Sequence, residues 1–238
     1  MLPGMPFVSK TFEPMLTPDQ NTLLLQLTTK KGRREAERFI IEGEKFVRDA
    51  GKLVEFTFTP DDTPRFAEYV STETPQAIAA VAHIPRWKIR DLQDRDVIVV
   101  LDGVQDPGNV GTILRACLGF GASLILVESA EVTNPKTVRS SASAMLRVPW
   151  MTVSRADAGQ MITSLGRPIF RLELTDNAID LPQMPVGPSV IIAGNEGAGI
   201  TLPIPGTSVR IPIDAALESL NVGIATSLAL YEQRRPRL

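Results

Sequence analysis

Two rhythms of apolar and polar residues run along this chain, and one gives way to the other near residue 96. Beyond that point come near-continuous apolar runs at 97–101, 124–128, 148–153, 169–174, 190–193 and 209–213. Segments with apolar residues at helical spacing lie between most of them, at 110–120, 135–145 and 156–165, and a last one runs from Ser219 or Leu220 to about Arg235. Strands without alternation are buried on both faces, so the pattern predicts an α/β fold, a parallel sheet with helices on both faces, over 96–238. Residues 18–88 read differently. Thr17, Pro18 and Asp19 form a helix start before Leu23, Leu24 and Leu27, and Gly51 stops a helix over 44–50. Residues 53–59 alternate as a half-buried strand, and 78–84 read as another, ending at His83 and Ile84. This predicts a small α/β unit over 18–88 and a charged linker over 89–95, preceded by a flexible lead over 1–17 that is rich in proline. The last helix is apolar around nearly its whole circumference until Glu232, which predicts burial on all sides and hence a subunit interface.

Composition narrows the chemistry. At 238 residues, 43% hydrophobic and 22% charged, the chain can bury a sizeable core. No apolar run approaches the ~20 residues needed to span a bilayer, and the amino-terminal segment lacks the apolar core of a signal peptide, so a cytoplasmic protein is expected. One cysteine, Cys117, sits on an apolar helix stripe, and His83 is the one histidine. Those two cannot build a zinc cluster, and no Cys-His dyad or serine-hydrolase elbow is present, so chemistry here calls for a bound cofactor and no metal. The formal charge of −2 does not announce nucleic acid. The cations are clustered, however: Lys30, Lys31, Arg33, Arg34 and Arg38 lie close together, and Arg86, Lys88, Arg90 and Arg95 recur before the first core strand. Each cluster alone reads as a solvated face, and together they permit a phosphate-binding surface.

Three stretches carry candidate chemistry. In the first, residues 101–121, Asn109 sits where a helix cap belongs, and Arg115 has Gly111, Thr112, Leu118 and Gly119 as helical neighbours, leaving one flank nearly bare. The second places Gly194, Gly197 and Gly199 at the end of a strand, where ligands bind in open parallel sheets. Its spacing, Gly-x-x-Gly-x-Gly, is neither the dinucleotide fingerprint nor a P-loop. Glu196 within it reads either as a ligand for a cation or hydroxyl or as a solvated loop carboxylate. In the third, Ile211, Pro212 and Ile213 precede Ser219, a candidate cap, and Asn221, an amide in the first turn of an apolar helix.

In this order the three stretches resemble the motifs of the SpoU/TrmH family of RNA ribose 2′-O-methyltransferases, within the SPOUT superfamily. Asp106, Pro107, Asn109, Gly111, Arg115 and Gly121 fall where the family has them, and the basic segment 134–141 is similar to its counterpart. Residues 38–43 and Thr74, Pro75 and Gln76 resemble the family's amino-terminal substrate-binding domain. The resemblance implies a carboxy-terminal trefoil knot and a homodimer in which Arg115 lies near the partner's cofactor. It implies S-adenosylmethionine held by Gly194, Asn195, Glu196, Gly197, Gly199, Ile200, Ile211, Ile213, Ser219, Leu220 and Asn221. Arg115 would act on the hydroxyl, as an unusual base assisted by an RNA phosphate or as a cation stabilising the alkoxide, with Asn109 orienting it and Glu196 and Asn221 shaping the site. RNA contacts are expected from Lys31, Arg33, Arg34, Arg38, Arg139 and Ser140, with ribosomal RNA favoured over transfer RNA. A catalytically silent RNA-binding protein is the rival from another class. The chain departs from the family at Ala216 and Gly223, where glycine and serine are common, and in a short segment 59–71.

Overall fold

The computed structural model describes residues 16–235 apart from Ser71 and Glu73, so the expected lead lies outside the described residues except for Leu16 and Thr17. The amino-terminal unit contains α1 (Pro18–Leu27), α2 (Lys30–Ala36), β1 (Arg38–Glu42), α3 (Glu44–Ala50), β2 (Val54–Phe58), α4 (Phe66–Val70) and β3 (Ala79–His83). Thr17 caps α1 in a reciprocal box with Gln20, which satisfies two of the first-turn donors. The strands pair antiparallel in the order β1-β3-β2. Their covered face packs Phe58 against Phe66 with ring centroids 5.3 Å apart, beside Leu24, Leu27 and Tyr69.

Residues 89–95, expected as a linker, carry a further helix, α5 (Ile89–Gln93), whose Leu92 is wholly buried in the larger unit's core. That unit then follows as β4 (Val97–Asp102), α6 (Pro107–Phe120), β5 (Ser123–Val127), α7 (Pro135–Ser141), β6 (Trp150–Val153), α8 (Arg155–Ser164), β7 (Ile169–Leu172), β8 (Ile179–Asp180), β9 (Ser189–Gly194), β10 (Thr207–Arg210) and α9 (Val222–Arg234). Seven strands form one sheet in the order β6-β5-β4-β9-β7-β10-β8, and every pairing between them is parallel.

The apolar runs are continuous because successive residues serve two cores. Val97, Val99 and Leu101 of β4 face one side with Leu124, Leu126, Ile191 and Ala193, under α6, α7 and α9. Ile98 and Val100 face the other with Ile125, Val190 and Ile192, under α5 and α8. Adjacent β4 and β9 are far apart in sequence, so the order switches between them, and loops from both sides converge at their carboxyl ends. The buried Cys117 thiol, pushed up by desolvation, is part of this core.

Several boundaries differ from the expected ones. α6 starts at Pro107 with Asp106 as its cap, so Asn109 lies inside the first turn instead of capping it. Asn221, not Ser219, caps α9, accepting from the N–H groups of Gly223 and Ile224 at 2.9 and 3.3 Å. α7 stops at Ser141, and Ala142 and Ser143 take left-handed conformations before a short 3₁₀ turn. Ser140 and Ser141 bond back to carbonyls of their own helix, offering an alternative to its continuation. Finally, α9 is not covered all round within one chain. Ile224, Leu228 and Tyr231 stand 51%, 39% and 44% exposed along one face.

Candidate functional site

The carboxyl ends of β4 and β9 and the amino ends of α6 and α9 meet at one place. There Asn109 is 9% exposed. Its Nδ2 donates to Glu196 Oε1 at 2.5 Å, and its Oδ1 accepts from Asn221 Nδ2 at 2.9 Å. One amide therefore joins residues 87 and 112 positions further along the chain, bringing together one side chain from each of the three stretches. Asn221 meanwhile uses its own oxygen to cap α9, which fixes which end of the amide points at Asn109.

The glycine loop is held at several points. Gly194 has no room for a side chain: a Cβ would lie 2.3 Å from the carbonyl carbon of Gly199 and 2.5 Å from the nitrogen of Ile200. Asn195 and Gly199 exchange backbone hydrogen bonds of 3.0 and 2.9 Å across that narrow neck. The Asn195 side chain donates to Gly103 O at 2.8 Å and accepts from the N–H groups of Gly197 and Ala198 at 2.8 and 3.1 Å. It is thus a brace between two loops. Just beyond, the buried Asp102 carboxylate accepts from Thr201 N at 2.5 Å, Leu202 N at 2.7 Å and Arg155 Nη2 at 2.7 Å. Burial pushes this carboxyl up, but the Leu202 N–H, Arg155 and the Thr201 N–H outweigh it and hold it below the usual carboxylate range. Arg155 also pairs with Glu128 at 2.6 Å.

Beside this bracket lies an open cavity of about 590 Å³. Of the residues assigned to the cofactor, Ile211, Ile213, Ser219 and Leu220 line it, whereas Asn221 and the loop residues Gly194, Asn195, Glu196, Gly197, Gly199 and Ile200 lie outside its lining. Sequence reasoning missed Leu172, Glu173 and Leu174, which also line it. Their signal was available: Leu172 ends β7, a strand next to β9, and Glu173 and Leu174 follow it on the carboxyl side of the sheet. Glu173 is held below its ordinary range first by the hydrogen-bonded Arg171 guanidinium, with Ser208 donating to it at 2.7 Å. Apolar walls with a few fixed polar groups in a volume of this size suit a nucleoside-bearing ligand. S-adenosylmethionine fits that description.

Arg115 is exposed, with no ion pair among the described residues. Its flank is only partly bare. A Cβ on Gly119 would meet open space, but one on Gly111 would lie 1.9 Å from Ser140 Oγ, so Gly111 exists to let α7 close on α6. Ser140 packs on that glycine, its hydroxyl donating to Lys136 O at 2.8 Å. Arg33 also departs from expectation. Its side chain is 5% exposed and forks onto Glu131 at 2.9 and 3.1 Å, with further bonds to Leu27 O and Thr28 O. It locks the amino-terminal unit to the larger one. Arg38 is engaged by Glu55 and the carbonyl of Ala36. Lys31, Arg34 and Arg139 are the exposed members of the set.

Residues 96–231 match the profile of a family described as the SpoU rRNA Methylase family. The chain is 29% identical over 235 residues to the 23S rRNA (guanosine(2553)-2′-O)-methyltransferase RlmP of Bacillus subtilis, covering 88% of this chain and 93% of that protein. It is 27% identical to a 23S rRNA (uridine(2479)-2′-O)-methyltransferase of Streptomyces viridochromogenes, covering 87% of this chain and 75% of that one. Among solved structures, an AdoMet-bound rRNA methyltransferase from Sinorhizobium meliloti superposes with a TM-score of 0.83 at 27% identity, covering 95% of this chain and 98% of the other.

Proposed function

This chain belongs to the SpoU rRNA Methylase family, and from that premise we propose that it is an S-adenosylmethionine-dependent methyltransferase acting on the ribose 2′-hydroxyl of a nucleotide in ribosomal RNA. The observation that carries the reading is the chain of amides from Asn221 through Asn109 to Glu196, which ties the three motifs together beside the cavity. Within it the buried Asn109 amide is satisfied at both ends by two side chains that themselves reach solvent, which gives a fixed polar floor.

The cofactor, when bound, supplies an electrophilic methyl group on a sulfonium. Ile211, Ile213 and Leu220 offer it apolar wall, and the loop 194–200, whose Gly197, Ala198 and Gly199 N–H groups are already bonded to Asn195, offers its remaining carbonyl groups. Arg115 stabilises the ribose alkoxide as it develops, because a guanidinium keeps its charge throughout. Asn109 and Glu196 orient the approach. Lys31, Arg34 and Arg139 meet the phosphates, which positions the RNA without choosing its sequence.

The same reading includes a homodimer in which α9 is the contact, a trefoil knot formed by the carboxy-terminal segment, and action in the cytoplasm without a metal. The exposed row Ile224, Leu228, Tyr231, with Phe120 stacked edge-on against Tyr231 at 6.1 Å, supports the dimer, since this apolar strip gains by meeting its own copy. Leu228→Glu should turn a dimer into a monomer in analytical ultracentrifugation, and a dimer unchanged by it removes α9 from the interface. The function itself is tested by mapping ribose methylation of ribosomal RNA from cells with and without the gene. One 2′-O-methyl mark should vanish and return with purified protein and S-adenosylmethionine. An unchanged methylation map together with no methyl transfer in vitro would leave only the silent RNA-binding alternative.

A further inference from the structure

We propose that a second cavity, of about 620 Å³ between the amino-terminal unit and α7, receives one unpaired nucleotide of the RNA substrate, distinct from the nucleotide that is methylated. The inference rests on the RNA methyltransferase reading and adds a recognition site to it.

The cavity is a built feature, because Arg33 pins its two walls together through the buried fork to Glu131. Its lining is mixed: Leu27, Ile40, Phe46, Tyr69 and Val138 give it apolar wall for a base, among polar side chains such as Thr28 and Thr133. Polar groups occupy opposite ends of the chemistry a nucleotide presents. Arg139 on α7 is exposed and has no ion-pair partner among the described residues, so it can take a phosphate. Glu42 is half-buried, and its Oε1 is fixed by the N–H of Gln76 at 2.5 Å and the hydroxyl of Thr72 at 3.2 Å. Its other oxygen has no partner among the described residues and can accept from base N–H groups. A carboxylate repels phosphate and a guanidinium repels nothing a phosphate carries, so the ligand must be anionic at one end and an N–H donor at the other. Guanine, with adjacent N–H donors on one edge, fits best.

Position argues the same way. Ser140 packs on Gly111 of α6, and the next residue back, Arg139, lines this cavity. The cavity and the Asn109 bracket therefore flank the same helix, whose width is about 10 Å. A strand whose target ribose sits at Asn109 has a neighbouring nucleotide within reach of the cavity, and sequence-specific RNA recognition commonly works on such splayed single-stranded bases.

The test uses the full chain with a 23S ribosomal RNA transcript carrying sparse 6-thioguanosine, cross-linked by light and mapped by mass spectrometry, alongside kinetics of Thr74→Trp, which narrows the cavity from its exposed rim, and of Arg139→Ala. Cross-links at Tyr69, Thr74 or Gln76 are expected. Thr74→Trp should raise the KM for RNA about 10-fold, the size of one lost base contact, with kcat and the Kd for S-adenosylmethionine unchanged, and Arg139→Ala should raise the same KM through its lost phosphate contact. Cross-links confined to α6 and the glycine loop, or an unaltered KM in Thr74→Trp, overturn the cavity while leaving methyl transfer intact. No cross-link anywhere and no RNA-dependent transfer overturn both readings together.

Discussion

Replacing Asp102 with asparagine should be among the most damaging single-atom changes in this protein. The side chain is fully buried and Arg155 is 34% exposed, so the pair is anchored from the inside. Its two oxygens take four donors: the N–H groups of Thr201 and Leu202, the Thr201 hydroxyl at 3.1 Å and Arg155. Asparagine swaps one acceptor for an NH₂ that faces donors and leaves Arg155 without its inner partner. Hydrogen bonds to a charged group are worth ~1.5–3 kcal/mol each, and breaking a buried ion pair from one side costs ~3–5 kcal/mol. Because Arg155 keeps Glu128 and partial solvent, we expect the lower part of that range, about 3–4 kcal/mol. In a chain of this size that is a fall in Tm of roughly 6–16 °C, at ~2–4 °C per kcal/mol. The pH dependence has a definite sign. A carboxyl held below its ordinary value stabilises the fold above the unfolded pKa of ~3.9, and loses that contribution as pH falls through the folded value. The gap between wild type and Asp102→Asn should therefore be constant from about pH 5 to 8 and close in acid. Urea unfolding across that range measures it, with Thr201→Val, which removes only the hydroxyl, as the milder comparison. A loss below about 1 kcal/mol at neutral pH, the net worth of one ordinary hydrogen bond, would refute the reasoning.

Four other outcomes follow from the geometry. Gly194→Ala forces a Cβ to 2.3 Å from backbone that cannot step aside. It should cost at least the ~1–3 kcal/mol of ordinary overpacking and abolish cofactor binding by calorimetry. Arg115→Ala should abolish methyl transfer yet keep the fold and cofactor binding. Mixed with Gly194→Ala under subunit exchange, it should recover activity if the two halves of a site come from different chains, and no recovery in proven heterodimers places them in one chain. Arg33→Ala should lower stability by about 3 kcal/mol through the stranded Glu131. In contrast, Lys31→Ala with Arg34→Ala should leave the melting temperature alone and flatten the salt dependence of RNA binding, and the reverse pattern would show the assignments to be exchanged.

Apolar runs told most of the fold. A run such as Val97 to Leu101 without alternation can only be buried on both faces, and it is, split residue by residue between two cores. What the pattern could not give was the role of single polar residues. Asn109 and Ser219 each look like caps in sequence, because capping is a local property and both precede apolar helical stretches. The decision was tertiary: Asp106 and Asn221 were equally competent caps, and Asn109 was worth more as the bridge between Glu196 and Asn221. The basic cluster misled for a related reason. Charge is visible along the chain but its partner is not, and Glu131, 98 residues from Arg33, turns one of five similar cations into an internal strut. The all-round apolar pattern of α9 predicts a subunit interface because its own chain cannot cover every face, and within one chain the face from Ile224 to Tyr231 is indeed open.

The polar braces also suggest how the site behaves as a unit. Asp102 reaches Thr201 and Leu202, 99 and 100 positions on, Asn195 reaches back 92 positions to Gly103, and Asn109 spans to both Glu196 and Asn221. Each brace ties the end of β4 or the start of α6 to a segment that arrives only after β9 has been placed. None can form while the carboxy-terminal part is undocked, and each leaves a desolvated donor or acceptor if it breaks alone, so opening one loop penalises the others. The three loops should therefore open together or not at all. A ligand seated in the neighbouring cavity, which touches 211–220 directly, then protects the glycine loop it does not line. In hydrogen exchange, S-adenosylmethionine should slow the amides of Gly197, Gly199, Thr201 and Leu202 along with those of Ile211 and Leu220, and protection limited to the cavity lining would show that the braces act separately.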